Sequence, residues 1–118
     1  MRMWMIDPQL MCNKHLLNEH VGTHLLEDSV KKKRSIGALM ERGQVDLSKV
    51  GERHDILATE MHDRGMNHQS PIDQGTDWSG GIVNEYDSVV ELKSRCIDCR
   101  SRIVEAELAL SSAMGTES

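Results

Sequence analysis

MRMWMIDPQLMCNKHLLNEHVGTHLL, residues 1–26, is the stretch around which this chain organises itself. Asp7-Pro8 opens a helix, because the Asp carboxylate can accept the free amide hydrogens of a first turn and Pro has a preset backbone angle and no amide to leave unpaired. Apolar residues Leu10, Met11, Leu16, Leu17, Val21, Leu25 and Leu26 continue the pattern to about Glu27. The spacing therefore predicts a long helix, packed over much of its surface. Gly22 lies well inside it, where glycine costs about 1 kcal/mol relative to Ala. Close helix packing would explain it, and so would room left for a ligand.

At about 100° per residue, His15, Glu19 and position 22 share one helix face, while His20 and His24 form a second face at i, i+4. Either His pair could contribute to a metal site with help from elsewhere. Two nitrogens are too few ligands, so no metal and no cofactor is assigned.

Beyond this helix, Lys31, Lys32, Lys33 and Arg34 make the only dense basic run, either a solvated helix end or a phosphate-contacting patch. Ser35 then offers a cap for a short helix through Ile36, Leu39 and Met40, closed by Gly43. Val50, His54, Leu57 and Met61 recur at helical spacing, which predicts a third helix from about Ser48 to Arg64 with Gly65 as its stop. His54 is expected in the core; His62 and His68 are expected at the surface.

Residues 66–81, MNHQSPIDQGTDWSGG, have the composition of a loop. Trp78 either anchors it to the core or offers a stacking platform for a base. Ser88 and Glu91 have capping-box spacing, and an apolar seam follows at Val89, Leu92, Cys96, Cys99, Ile103, Ala106 and Leu110. Its steps alternate three and four, predicting one long helix from Ser88 to about Ser112 that faces its own core or a second copy in a homodimer. The GTES tail is expected to fray. The expected fold class is all-α: a compact single-domain helical bundle with a region 1–71, a loop 72–87 and a helix 88–112 completing the same domain.

Composition agrees with that class. The 118 residues suit one domain, and with no Phe and eight Met the core must come from Leu, Ile, Val and adaptable Met side chains. A formal net charge of -5 argues against a surface that is basic all round. No apolar run approaches the roughly 20 residues that span a bilayer, and no signal-peptide pattern is seen, so the expectation is a soluble cytoplasmic chain with no membrane partner. Cys12, Cys96 and Cys99 do not make a disulfide framework, and a reducing compartment fits them. Cys96-x-x-Cys99 is half of a zinc site or a redox pair. No second CxxC completes it, and both residues fall on the apolar seam, so they read as buried core thiols.

MRMWMIDPQLMC, then HLLNEHV, then a lysine-rich helix start and RHDILATEMHDRGMNHQSP together resemble the pyrimidine-dimer DNA glycosylase family of the phage endonuclease V type. The likeness spans roughly residues 1–71, and HLLxEHV and RHxxLxxEMxxRGxxHxSP are its most specific parts. The aromatic-rich C-terminal tail of the best-known member has no counterpart.

The resemblance implies a compact helical fold acting on damaged or modified pyrimidines in DNA. The chain's own α-amine attacks the sugar C1′, expels the base, forms a Schiff base and then nicks the strand by β-elimination. A terminal amine suits this role because its pKa of about 7.7 to 8.0 leaves a usable neutral fraction. The amine would be that of Met1, since a bulky Arg2 disfavours removal of the initiator Met. Arg2 matches the family's phosphate-binding arginine, with Lys31, Lys32, Lys33 and Arg34 as further phosphate contacts, and His15 matches its helix histidine. The family's essential acid falls at position 22, where this chain has Gly22, and Glu19 stands one turn earlier as a partial substitute. The family's arginines elsewhere on the helix are replaced by Val21 and Leu25. The resemblance thus implies either an impaired glycosylase and abasic-site lyase, or a catalytically silent relative that binds a nucleotide or nucleic acid, as in a phage counter-defence protein.

Overall fold

The computed structural model describes residues 2–67 and 71–115; the expectations for His68 and for the tail after Gly115 lie outside these residues. Among the described residues all regular structure is helical: α1 (Asn13–Lys31), α2 (Gly37–Glu41), α3 (Val50–Asp63), α4 (Glu85–Arg95) and α5 (Ile97–Gly115). The all-α expectation holds. Several boundaries differ, and each difference has a local cause.

Asp7 does cap, accepting the Gln9 amide at 2.9 Å, but Pro8–Leu10 makes only a 3-10 turn. Met11 then turns extended, with φ -99° and ψ 140°, and the helix proper starts afresh after Cys12. The break drives Met11 and Cys12 into the core, both of them buried. Helix α1 in turn runs past the expected end at Glu27 to Lys31. Ser35 does not cap α2; buried Ile36 occupies that position with no side-chain bond. Gly43 and Gly65 both stand in left-handed backbone at the expected stops.

At the C-terminal end the capping box is not used. Asn84, four residues before the expected start, accepts the Asp87 amide at 3.0 Å, and Ser88 lies buried within α4. The single long helix expected over 88–112 is also interrupted: Cys96 is extended (φ -129°, ψ 117°), and α5 begins at the next residue. Helices α4 and α5 fold against each other, with Lys93 reaching Glu107 at 3.1 Å. Folding back lets Leu92, Cys99 and Ile103 enter one core, which a straight helix would spread along its length. Ala106 and Leu110, later positions of the same seam, are exposed.

Two apolar clusters form the interior. Trp4, Ile6, Met11, Leu16, Leu57, Met61, Leu92 and Ile103 belong to the first, and Met3, Leu26, Ile36, Val45, Leu47 and Val50 to the second. Residues 3–6 pass between them, with Met3 and Met5 facing the second cluster and Trp4 and Ile6 the first. This is strand-like alternation in a segment with no sheet partner. It explains why the N-terminal stretch governs the fold: it is the wedge on which both clusters close.

The loop after α3 is fastened by its own side chains. Gln74 accepts the Gly51 amide at 2.7 Å and donates to the Ser48 carbonyl at 2.9 Å, and Trp78 packs on the second cluster as an anchor. Glu27 accepts the Asp73 amide at 2.6 Å. Burial raises the Glu27 pKa, but this amide bond and Lys31 outweigh it and hold the carboxyl below its usual value. Gly81 is the tightest point: its φ is +81°, and an added Cβ would lie 2.1 Å from the Val45 carbonyl oxygen. Gly81→Ala is expected to destabilise the fold by at least about 2 kcal/mol, read as a lower urea midpoint at unchanged m-value.

Candidate active site at the N-terminal segment

The wedge places Arg2 over the middle of α1. The Met3 amide donates to the Gln44 carbonyl at 2.7 Å, and Met5 takes φ 61°, a left-handed conformation costly for a non-glycine residue. Position 22 lies beneath this segment. A Cβ on Gly22 would stand 3.6 Å from the Arg2 carbonyl oxygen and 3.7 Å from the Arg2 nitrogen, ordinary contact distances. Close packing thus does not forbid a Cβ at position 22. Met1 itself lies outside the described residues.

Arg2 is held on two sides. Its guanidinium stacks over the Trp4 ring at 3.9 Å and pairs with Glu91 of α4 at 2.6 Å. Glu91 also pairs with Arg95 at 2.5 Å. Glu91 was read from sequence only as half of a capping box, and nothing in its spacing signals a partner 89 positions away in the chain. A phosphate approaching Arg2 competes with a carboxylate already bound to its guanidinium.

Glu19 lies below, fully buried, and both of its oxygens are engaged by Arg53 of α3, at 2.5 Å from Nε and 3.0 Å from Nη2. Arg53 also donates from Nη1 to the Ile6 carbonyl at 2.7 Å. One guanidinium therefore ties α3 to α1 and to the wedge. Arg53 is the residue sequence reasoning missed, although it opens the RHxxL segment and a buried bidentate carboxylate favours Arg over Lys.

His15 and position 22, placed on one face by periodicity, serve different neighbourhoods. The His15 ring stands edge-on to Trp4, with centroids 6.0 Å apart, and its Nδ1 lies 3.3 Å from the Cys12 sulfur and 3.7 Å from that of Cys99. Burial, with Lys14 and Arg95 nearby, lowers its pKa. His20 and His24 gather with His54 of α3, ring centroids 4.8–4.9 Å apart, so the third imidazole that the sequence could not supply comes from across the core. Their ring nitrogens are close enough to share an ion.

The basic run lies at the far end of α1, nine residues or about 14 Å along the axis from Gly22. Lys31 pairs with Glu27 and Asp73, and Lys32 and Arg34 both pair with Asp28, while Lys33 sits in left-handed backbone. This end of the helix is charge-compensated. Val21 and Leu25, which stand where the resemblance expects arginines, are about half exposed on α1. With Leu17 they line an apolar stripe at intervals of four residues beside the wedge.

No helix among the described residues is long and apolar enough to cross a membrane. Neither the curated proteins nor the solved structures include a match to this chain. A family model does match: that of the pyrimidine dimer DNA glycosylases, over residues 1–74, which takes in the wedge, α1, Gly22, Arg53 and the histidines, and stops before α4 and α5. On that match, the chain belongs to the pyrimidine dimer DNA glycosylase family.

Proposed function

We propose that this chain acts on DNA through the α-amine of Met1, as a glycosylase and abasic-site lyase for damaged or modified pyrimidines, with a chemical step slowed by the absence of an acid at position 22. The observation that carries this reading is the contact between Gly22 and the backbone of Arg2. The position where the family places its carboxylate lies against the residue next to the nucleophile. In the reaction the amine lone pair forms the bond to C1′, and the base departs with the electrons of the glycosidic bond. The nitrogen then loses a proton, and its lone pair expels O4′, which takes up a proton as the sugar ring opens to the protonated Schiff base. Loss of a C2′ proton drives the electrons towards C3′ and breaks the C3′–oxygen bond. An acid near the amine assists each of these transfers, and here none stands at position 22. Glu19 is committed to Arg53, so it contributes by fixing the wedge through Arg53 rather than by moving protons.

Cleavage of a duplex carrying one abasic site tests the reading. Slow nicking that leaves the unsaturated aldehyde of β-elimination supports it; intact duplex after prolonged incubation at high enzyme concentration counts against it.

One observation favours a second reading, a silent relative that binds a nucleotide or another ligand. The face where the family carries arginines is apolar, and Arg2, Lys31, Lys32 and Arg34 are each paired with a carboxylate. Calorimetry with nucleotides and with duplex DNA separates the two. If duplex affinity is limited by the missing cations, Val21→Arg with Leu25→Arg is expected to tighten duplex binding and steepen its log-log salt dependence by about two contacts' worth, a slope change of roughly -1.8.

A further inference from the structure

Four side chains outside the proposed active site converge where α1 begins and where α4 gives way to α5. We propose that Cys12, His15, Cys96 and Cys99 form a structural site for a single tetrahedral zinc ion, which fastens the C-terminal helix pair to the catalytic half of the chain. All four potential ligand atoms lie within 4.8 Å of one another. The Cys12 and Cys96 sulfurs are 3.8 Å apart, and His15 Nδ1 is 3.3 Å from the Cys12 sulfur and 3.7 Å from the Cys99 sulfur. Zinc bonds of about 2.3 Å to sulfur and about 2.0–2.1 Å to nitrogen give tetrahedral edges of about 3.8 Å between sulfurs and about 3.6 Å between sulfur and nitrogen. These three spacings match those edges to within a few tenths of an ångström, and the other three lie within 4.8 Å.

Three independent features support the site. The ligands come as two pairs at i, i+3, Cys12-x-x-His15 and Cys96-x-x-Cys99, each pair held by a helix start. Backbone amides point at the sulfurs: Cys12 N–H donates to the Cys99 sulfur at 3.2 Å and Cys99 N–H to the Cys96 sulfur at 3.4 Å. Such donors stabilise thiolates and orient them around an ion. The third feature is the break at Cys96, an extended residue between two helices in a run with neither Pro nor Gly before Gly115. Helix breaks have identifiable causes, and ligand geometry supplies one that the local sequence does not.

The donor set selects the metal. Three soft thiolates and an imidazole in a closed tetrahedron suit zinc, with no position left for water. A multi-iron cluster would spread its four protein ligands more widely than 4.8 Å. A disulfide would need sulfurs about 2.05 Å apart, and it would leave the third cysteine and His15 without a role. On binding, each thiol gives up its proton to solvent as its sulfur bonds to the ion, so uptake releases protons. The site assigns His15 to structure rather than to substrate, and it joins two segments that the family model does not span together.

Metal content and cobalt spectra of the full chain, purified under reducing conditions, test the proposal independently of any DNA activity. About one zinc per chain is expected, and replacement by cobalt should give intense visible bands of tetrahedral geometry with a near-ultraviolet thiolate-to-metal band. Cys96→Ser and Cys99→Ser should each lower zinc affinity at least tenfold, and if either fails to fold, cobalt titration of the unaltered metal-stripped chain provides the same readout. Stoichiometric zinc with the thiolate band supports the site. A Cys12–Cys96 disulfide in the freshly reduced and re-isolated chain, octahedral cobalt spectra, or no saturable metal binding would each overturn it.

Discussion

Gly22→Glu is expected to raise the rate of strand cleavage at an abasic site by about 10²-fold or more, since a positioned acid-base group is worth roughly 10²- to 10⁴-fold. The structure admits the first side-chain atom: a Cβ at position 22 makes only ordinary contacts with the Arg2 backbone, and α1 keeps its helical backbone there. Replacing Gly by Glu in a helix interior removes a conformational penalty of several tenths of a kcal/mol, which offsets part of the cost of placing a carboxylate at this buried position. Single-turnover cleavage kinetics on a labelled duplex give the measurement. A folded Gly22→Glu protein that cleaves no faster would show that the pocket has lost more than its acid. Gly22→Ala is the companion control, expected to change stability slightly and activity not at all.

Glu19→Ala is expected to cost about 3–5 kcal/mol, because it strands the buried Arg53 guanidinium without its carboxylate. A domain of this size has about 5–15 kcal/mol of stability in all, so the change removes a large share and should show plainly in a urea titration. The pair Glu19→Leu with Arg53→Met should recover much of that loss, since an apolar pair of similar volume needs no desolvation. Stability recovered in this double variant would not restore the tie to the Ile6 carbonyl, which only the guanidinium supplies. Any reaction depending on the wedge should therefore remain slow in the double variant even though it folds. Restored folding together with full activity would show that the wedge does not need Arg53.

Much of this was legible in the sequence, but unevenly. Periodicity located α1 and α3 and the seam at Leu92, Cys99 and Ile103, because a helix face buried against a core must repeat near 3.6 residues. It could not place the break at Cys96, since both sides of the break keep the same pattern and no Pro or Gly marks it. The family likeness brought Gly22 and Arg2 together, and the run of residues 3–6 between the two clusters shows how. Pairings across the core were the part not visible. Arg53 with Glu19, Glu91 with Arg2, His54 with His20 and His24, and Cys12 with Cys99 each join residues far apart in the chain, and no local rule links them. The same limit governed the cysteines: Cys96-x-x-Cys99 lacked a second CxxC in the sequence, whereas the structure sets Cys12-x-x-His15 beside it.

The proposed mechanism makes the α-amine of Met1 the nucleophile, next to the Arg2 backbone that position 22 faces. Borohydride trapping on an abasic-site oligonucleotide, followed by peptide mass spectrometry of the adduct, tests it most directly. The expected result is a slow covalent adduct on the Met1 α-amine, accelerated in Gly22→Glu and lost when that amine is acetylated. No adduct in either protein, or an adduct on a lysine that survives acetylation of the terminus, would contradict it.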